Sequence, residues 1–166
     1  MSETRNPEEL SLRLARTLND LAAIGDTFEA PPPITTEGED WRVTVPVSDR
    51  IKRMLMLRKR YIDELRSVQT QMQNLLPATS RKRPEAVSEF EALKATFIDL
   101  DLQHKFLCML FETELRLDFP DMQEASCLRF DPEWRMHYKP IPGAPPPTLV
   151  IVDLRSETAD RPHGLH

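Results

Sequence analysis

The sequence predicts an α+β fold: a long antiparallel, coiled-coil-like helical hairpin with an N-terminal helix and a small antiparallel β-sheet at the open end of the hairpin. Three observations carry this prediction. Heptad order runs through two long segments joined by a short polar turn, period-two apolar alternation flanks both segments, and 15 Pro against 4 Gly punctuate the chain rigidly.

Residues 1–26 read as an amphipathic helix. Asn6 suits an N-cap, Pro7 the first helical position, and Glu8 and Glu9 complement the positive end of the helix dipole. Leu10, Leu14, Leu18 and Leu21 recur at helical spacing and predict one docked apolar face, with Gly25 as the stop. Residues 27–40, containing Ala30-Pro31-Pro32-Pro33, form a Pro-rich linker.

Residues 41–154 then read as a single α+β domain. Trp41, Val43, Val45 and Val47 alternate with polar residues, and Pro46 makes 41–47 an edge strand. Ser48 and Asp49 open a long helix to about Leu76, closed by Pro77, and Pro84-Glu85 open a second that runs to Asp118. The hairpin thus spans 48–118. Residues 127–139 form a β-hairpin around Asp131-Pro132-Glu133, residues 140–147 a second Pro-rich linker, and 148–153 a buried strand built on Leu149-Val150-Ile151-Val152. Residues 155–166 lack periodicity and read as a flexible tail.

Within the hairpin, Ile51, Arg58, Leu65 and Met72 share one heptad row and Met54, Tyr61, Val68 and Leu75 the next. Phe90, Phe97, His104 and Phe111 form the facing row, alternating with Leu93, Leu100 and Leu107. Centring the turn near Ser80–Arg81 makes facing residue numbers sum to about 162, which pairs Met72 with Phe90, Leu65 with Phe97, Ile51 with Phe111 and Arg58 with His104. Arg58, His104 and the adjacent Asp101 therefore read as a structural polar layer. Ile98, Leu102, Phe106, Met109 and Leu110 lie off this seam and require a further covering element.

Charge is segregated to match. Residues 48–83 carry 10 basic and 3 acidic side chains, and residues 84–125 carry 3 basic and 10 acidic ones. The register brings Arg50, Lys52 and Arg53 near Glu112 and Glu114, so most of this charge pairs inside the hairpin. The net charge of −5 argues against broad nucleic-acid binding.

The chemistry-bearing patterns are sparse. No Gly-rich phosphate loop occurs among the 4 Gly. His104, Cys108 and Glu112 share a helix face at i, i+4 and i+8, yet no second Cys/His pair completes a tetrahedral set, so neither metal nor cofactor is expected. No catalytic residue is assigned. Arg81, Lys82 and Arg83 form an isolated basic tip, the candidate contact for an anionic partner.

These patterns favour a non-enzymatic scaffold, adaptor or assembly protein acting through helical protein–protein contacts. Its expected partner is another protein or a second copy in a homo-oligomer. The alternatives are a nucleic-acid-binding accessory protein using the basic tip and a metal-site enzyme. No apolar run reaches about 18 residues, and the start Met1-Ser2-Glu3 lacks an apolar leader core, so no membrane association is expected. With two Cys and no disulfide framework, a cytoplasmic location is expected.

Overall fold

The computed structural model describes residues 7–25, 27–35, 38, 40–122, 124–145 and 148–152. Among these the elements follow in the order α1 (Pro7–Ala23), β1 (Arg42–Pro46), α2 (Asp49–Ser80), α3 (Pro84–Asp118), β2 (Ser126–Phe130), β3 (Arg135–Pro140) and β4 (Leu149–Ile151). The α+β class holds, with α2 and α3 packed as two long helices beside a small mixed sheet. The expected Asn6 cap and the tail at 155–166 lie outside the described residues.

The chain forms two compact units. Residues up to Gly25 with Arg53–Phe111 make the helical unit, and Asp26–Lys52 with the residues from Glu112 onward make the unit that contains the sheet.

In the helical unit α1 packs on the hairpin of α2 and α3. Met54, Leu55, Leu57, Tyr61, Leu102, Leu107 and Phe111 are buried, as is Leu21 of α1. Register follows the loop-symmetry argument to within a residue or two. Tyr61 meets Gln103 across the seam, and Arg58 lies close enough to His104 to act on its charge.

α2 continues to Ser80, past the stop expected at Pro77. Pro77 removes one amide donor and leaves the Gln73 carbonyl to water, which an exposed last turn tolerates better than a buried one. The helix is stopped instead by the turn that follows Ser80. The Arg83 amide donates to the Ala78 carbonyl (3.3 Å) and the Lys82 amide to the Thr79 carbonyl (2.9 Å), with Lys82 at φ 57°. This is a Schellman stop with Lys at the left-handed position that usually holds Gly. Pro84 follows at once as the first residue of α3.

In the second unit, Ser48 caps α2 by accepting the Ile51 amide at 3.2 Å. Arg50 reaches Glu114 at 2.9 Å, the charge pairing foreseen between the first turn of one helix and the last turns of the other. The strand order is β1-β3-β2-β4, with β1 antiparallel to β3 and β3 antiparallel to β2. β1 is the expected edge strand, and its ladder to β3 shifts between Val43 and Pro46, where Pro46 has no amide to donate.

β4 departs from expectation twice. It pairs parallel to β2, which makes the sheet mixed rather than antiparallel, and Val150 is exposed rather than buried. Connectivity explains the direction. β3 ends with Pro140 opposite Ser126, so the chain needs only to cross β2 at that end. It does so with the Ile141 amide on the Ala125 carbonyl and the Ser126 amide on the Thr148 carbonyl. It therefore enters β4 where β2 begins.

One face of the sheet carries the buried Ser126, Leu128, Phe130 and Met136. These pack in a core with Val47, Ile51, Leu115, Met122 and Trp134.

Candidate protein-docking surface on the helical hairpin

The first wall of the candidate surface is α1, which docks through polar side chains. Arg13 holds Asp99 of α3 through Nε (2.9 Å) and Nη2 (2.8 Å). One helical stripe further on, Asp20 accepts from the Tyr61 hydroxyl at 2.7 Å and the Gln103 amide at 3.4 Å, with Arg60 at 3.6 Å. The Gln103 amide also donates to the Tyr61 oxygen at 3.1 Å. Thr17, fully buried between these anchors, bonds back to the Arg13 carbonyl. Burial, reinforced by the Asp20 carboxylate that accepts its proton, pushes the Tyr61 hydroxyl up to about 12. Leu10, Arg13, Thr17, Asp20, Leu21 and Ile24, all buried or half-buried, form the docked stripe, so only Leu14 and Leu18 of the leucine row face away from it.

This corrects the expectation that the leucine row docks. At 100° per residue the centre of the Leu10–Leu14–Leu18–Leu21 row is rotated about 70° from the docked stripe. Leu21 is buried, but Leu14 is 37% and Leu18 43% exposed. A charged anchor at each end of the contact, rather than leucine burial, selects the docked face. The clue was available in Tyr61. A phenol at a seam position needs a hydrogen-bond partner, and a polar face of α1 was one place to seek it.

The second wall is the half of the hairpin beyond α1. Arg13 sits beside Asp99 and Asp20 beside Gln103, so α1 runs in the same sense as α3 and its first turn points toward the hairpin tip. Tipward of the first turn of α1 only two helices remain. Two helices cover one side of each other's seam and leave the flanks open. Leu65, Met72, Leu75, Phe90, Leu93 and Phe97 are accordingly half-buried, and Leu76 (48%), Val87 and Ile98 are exposed. Val68 and Ala86 are buried there. Tyr61, which α1 contacts through Asp20, is fully buried, and Met54, Leu57 and Leu107 further from the tip reach 1% or less.

At the tip Arg81, Lys82 and Arg83 are all exposed and make no ion pair among the described residues. They and the distal seam share one end of the hairpin.

The residues of the expected polar layer lie near one another, the Arg58 and Asp101 charges both acting on His104. Arg58, Asp101 and His104 are half-buried rather than enclosed. Asp101 accepts from Lys105 one turn on, at 2.9 Å. His104 Nε2 lies 3.6 Å from the Cys108 sulfur, and its pKa is lowered by burial and by the Arg58 charge, with Asp101 opposing. A more deeply buried polar layer joins Thr17, Tyr61 and Gln103 with the half-buried Asp20. Among the described residues no three His, Cys, Asp or Glu side chains stand together as a metal cage.

A second polar cluster, missed in the sequence, lies in the sheet unit at the β2–β3 turn. Asp131 Oδ1 accepts the Glu133 and Arg135 amides at 2.9 and 3.0 Å, and Oδ2 accepts Arg135 Nε at 2.9 Å and His137 Nε2 at 2.8 Å. Burial pushes the Asp131 carboxyl up, but these donors outweigh it and hold the pKa below the ordinary carboxylate value. Because the acceptor is a carboxylate, His137 carries its proton on Nε2. Its Nδ1 is buried without a hydrogen-bond partner. The cluster holds Trp134 at φ 58°, packed on Phe28 and Phe130 with the Lys52 ammonium 5.8 Å from its ring. Its chemistry is that of a braced turn: four donors fixed on one carboxylate.

The chain matches no known family model, no curated protein and no solved structure. No helix among the described residues is long and apolar enough to cross a membrane.

Proposed function

We propose that this chain is a non-enzymatic scaffold, adaptor or assembly protein whose working surface is the distal half of its helical hairpin. The observation that carries this reading is the change in burial along the hairpin. Seam residues beside α1 are sealed, whereas Met72, Leu75, Phe90 and Leu93 present apolar side chains that two helices alone cannot cover. A third or fourth helix laid along that seam restores the burial seen next to α1. Each half-exposed side chain so covered adds roughly 1 kcal/mol of association, at about 25 cal/mol per Å². The exposed leucines of α1 extend the apolar surface within the same unit.

A photo-crosslinking amino acid placed at Leu76 or Phe90 of the full chain, in the cell that makes it, tests the reading. A covalent adduct with a protein is expected at both positions, and none with the probe at the solvent-facing Lys94. Absence of adducts at Leu76 and Phe90 overturns it. We place this activity in the cytoplasm, a reading that rests on the low cysteine content of two in 166 residues.

A second reading, phosphate contact by the tip, is favoured by the exposure of Arg81, Lys82 and Arg83. Salt-dependent binding of a short nucleic acid, lost when all three become Ala, would support it.

A further inference from the structure

We propose that the sheet unit is a receptor for an extended, proline-rich segment of another protein, and that residues 28–35 of this chain are its built-in competitor. Every residue involved belongs to the sheet unit, so this site stands apart from the distal hairpin.

The built-in segment shows what the receptor takes. Residues 28–35, Phe-Glu-Ala-Pro-Pro-Pro-Ile-Thr, lie in no helix or strand, yet their burial has a period. Phe28 is half-buried, Pro31 buried and Ile34 half-buried, with Pro32 half-buried beside Pro31. Glu29, Ala30, Pro33 and Thr35 are exposed. Three residues per turn is the repeat of polyproline II, so Phe28, Pro31 and Ile34 share one edge of such a helix, and that edge is the covered one. Three consecutive prolines fix φ near its polyproline II value before any contact forms, so little chain freedom is lost on docking.

Both ends of the segment are anchored. Phe28 meets Trp134 edge to face, with ring centroids 6.4 Å apart, and the Lys52 ammonium stands 5.6 Å from the Phe28 ring. At the other end Arg129 Nη1 donates to the Thr35 carbonyl at 3.1 Å. An aromatic pocket combined with a side-chain donor to a backbone carbonyl suits a proline-rich ligand. A polyproline II backbone makes no internal hydrogen bonds and leaves its carbonyls free to accept.

The hold is light enough to exchange. Among the described residues, the Thr35 carbonyl is the only backbone group of this segment in a hydrogen bond. The Arg129 guanidinium also lies over the Trp41 ring at 5.6 Å, and Trp41 Nε1 is buried without a hydrogen-bond partner among the described residues. A ligand carbonyl placed there would accept from a donor that the built-in segment leaves unused.

Binding of a fluorescein-labelled peptide of residues 27–35 to the full chain, read by anisotropy, tests this. On the natural chain the tethered segment competes at an effective concentration of about the millimolar range and keeps the peptide out. Phe28→Ser with Pro31→Ser in the chain should open the receptor, so that the natural peptide binds at least about tenfold more tightly than to the natural chain. The same two substitutions placed in the peptide should abolish binding. Arg129→Ala added to the opened chain should weaken binding of the natural peptide by about threefold or more. Circular dichroism of the opened chain should match that of the natural one; where it does not, Pro31→Ser alone carries the comparison.

An opened chain that takes the peptide no better than the natural chain overturns the proposal. So does one that takes the substituted peptide equally well, or that is indifferent to Arg129→Ala. A doubling of mass at high concentration that excess peptide reverses would support the receptor and show the segment entering a second copy.

Discussion

Tyr61 of α2 donates its hydroxyl to the Asp20 carboxylate of α1 over 2.7 Å, and the same oxygen accepts the Gln103 amide of α3, so one phenol ties three helices together. Such a shared group couples the docking of α1 to the register of the hairpin, because a shift of either helix breaks a buried bond.

Tyr61→Phe is therefore expected to cost about 1–3 kcal/mol, since it leaves Asp20 and Gln103 short of a partner in an enclosed layer. The pH dependence has a definite sign. The unfolded phenol ionises near 10 and the folded one near 12, so between these values the native state holds the extra proton and stability falls as pH rises. The loss amounts to at most about 2.7 kcal/mol. Urea midpoints at pH 9 and pH 11.5 should diverge for the natural chain, and less so for the Phe variant.

The docked face of α1 makes a second prediction. Leu21→Ala should cost about 2–4 kcal/mol, whereas Leu18→Ala, on the exposed side, should change stability by less than about 0.5 kcal/mol. Thermal unfolding of the two variants checks this directly. Equal losses would mean that the leucine row docks after all.

His104 carries a pH signature of the opposite sense to Tyr61. Burial and the Arg58 charge depress its pKa, so the native state favours the neutral ring. The stability that this provides is present above the unfolded value of 6.5 and is lost as pH falls through the lower folded value. Proton NMR should place the His104 titration below 6.5, and Arg58→Met should raise it. An unchanged titration in that variant would mean that the two residues are not neighbours across the seam.

Asp131 governs the acid limb of the sheet unit. Its folded pKa is below the unfolded value of 3.8, so it contributes stability above that value, lost as pH falls through the folded one. Asp131→Ala strands four donors and should cost about 3 kcal/mol. It should also flatten the acid dependence of tryptophan fluorescence, because Trp134 rests on this turn. Retention of native fluorescence and stability would show that the turn is held by packing alone.

What the sequence determined by itself was everything that depends on neighbours along the chain. The heptads of 48–76 and 84–118, the Ser48 cap, the turn at Arg81–Arg83 and the Arg50–Glu114 pair follow from spacing along the chain, because helical periodicity turns a residue number into a direction. Tertiary structure decided what depends on competition between surfaces. Leu14 and Leu18 were as legible as docking residues as Arg13, Thr17 and Asp20 were not. The choice fell to Asp99, Tyr61 and Gln103, which lie some 40 to 90 residues away and leave no trace in the local pattern of α1. The parallel entry of β4 and the four-donor carboxylate of Asp131 are of the same kind. Each is settled by which hydrogen-bonding edge or group the rest of the fold leaves open, and buried polar groups must find that partner wherever the chain brings it.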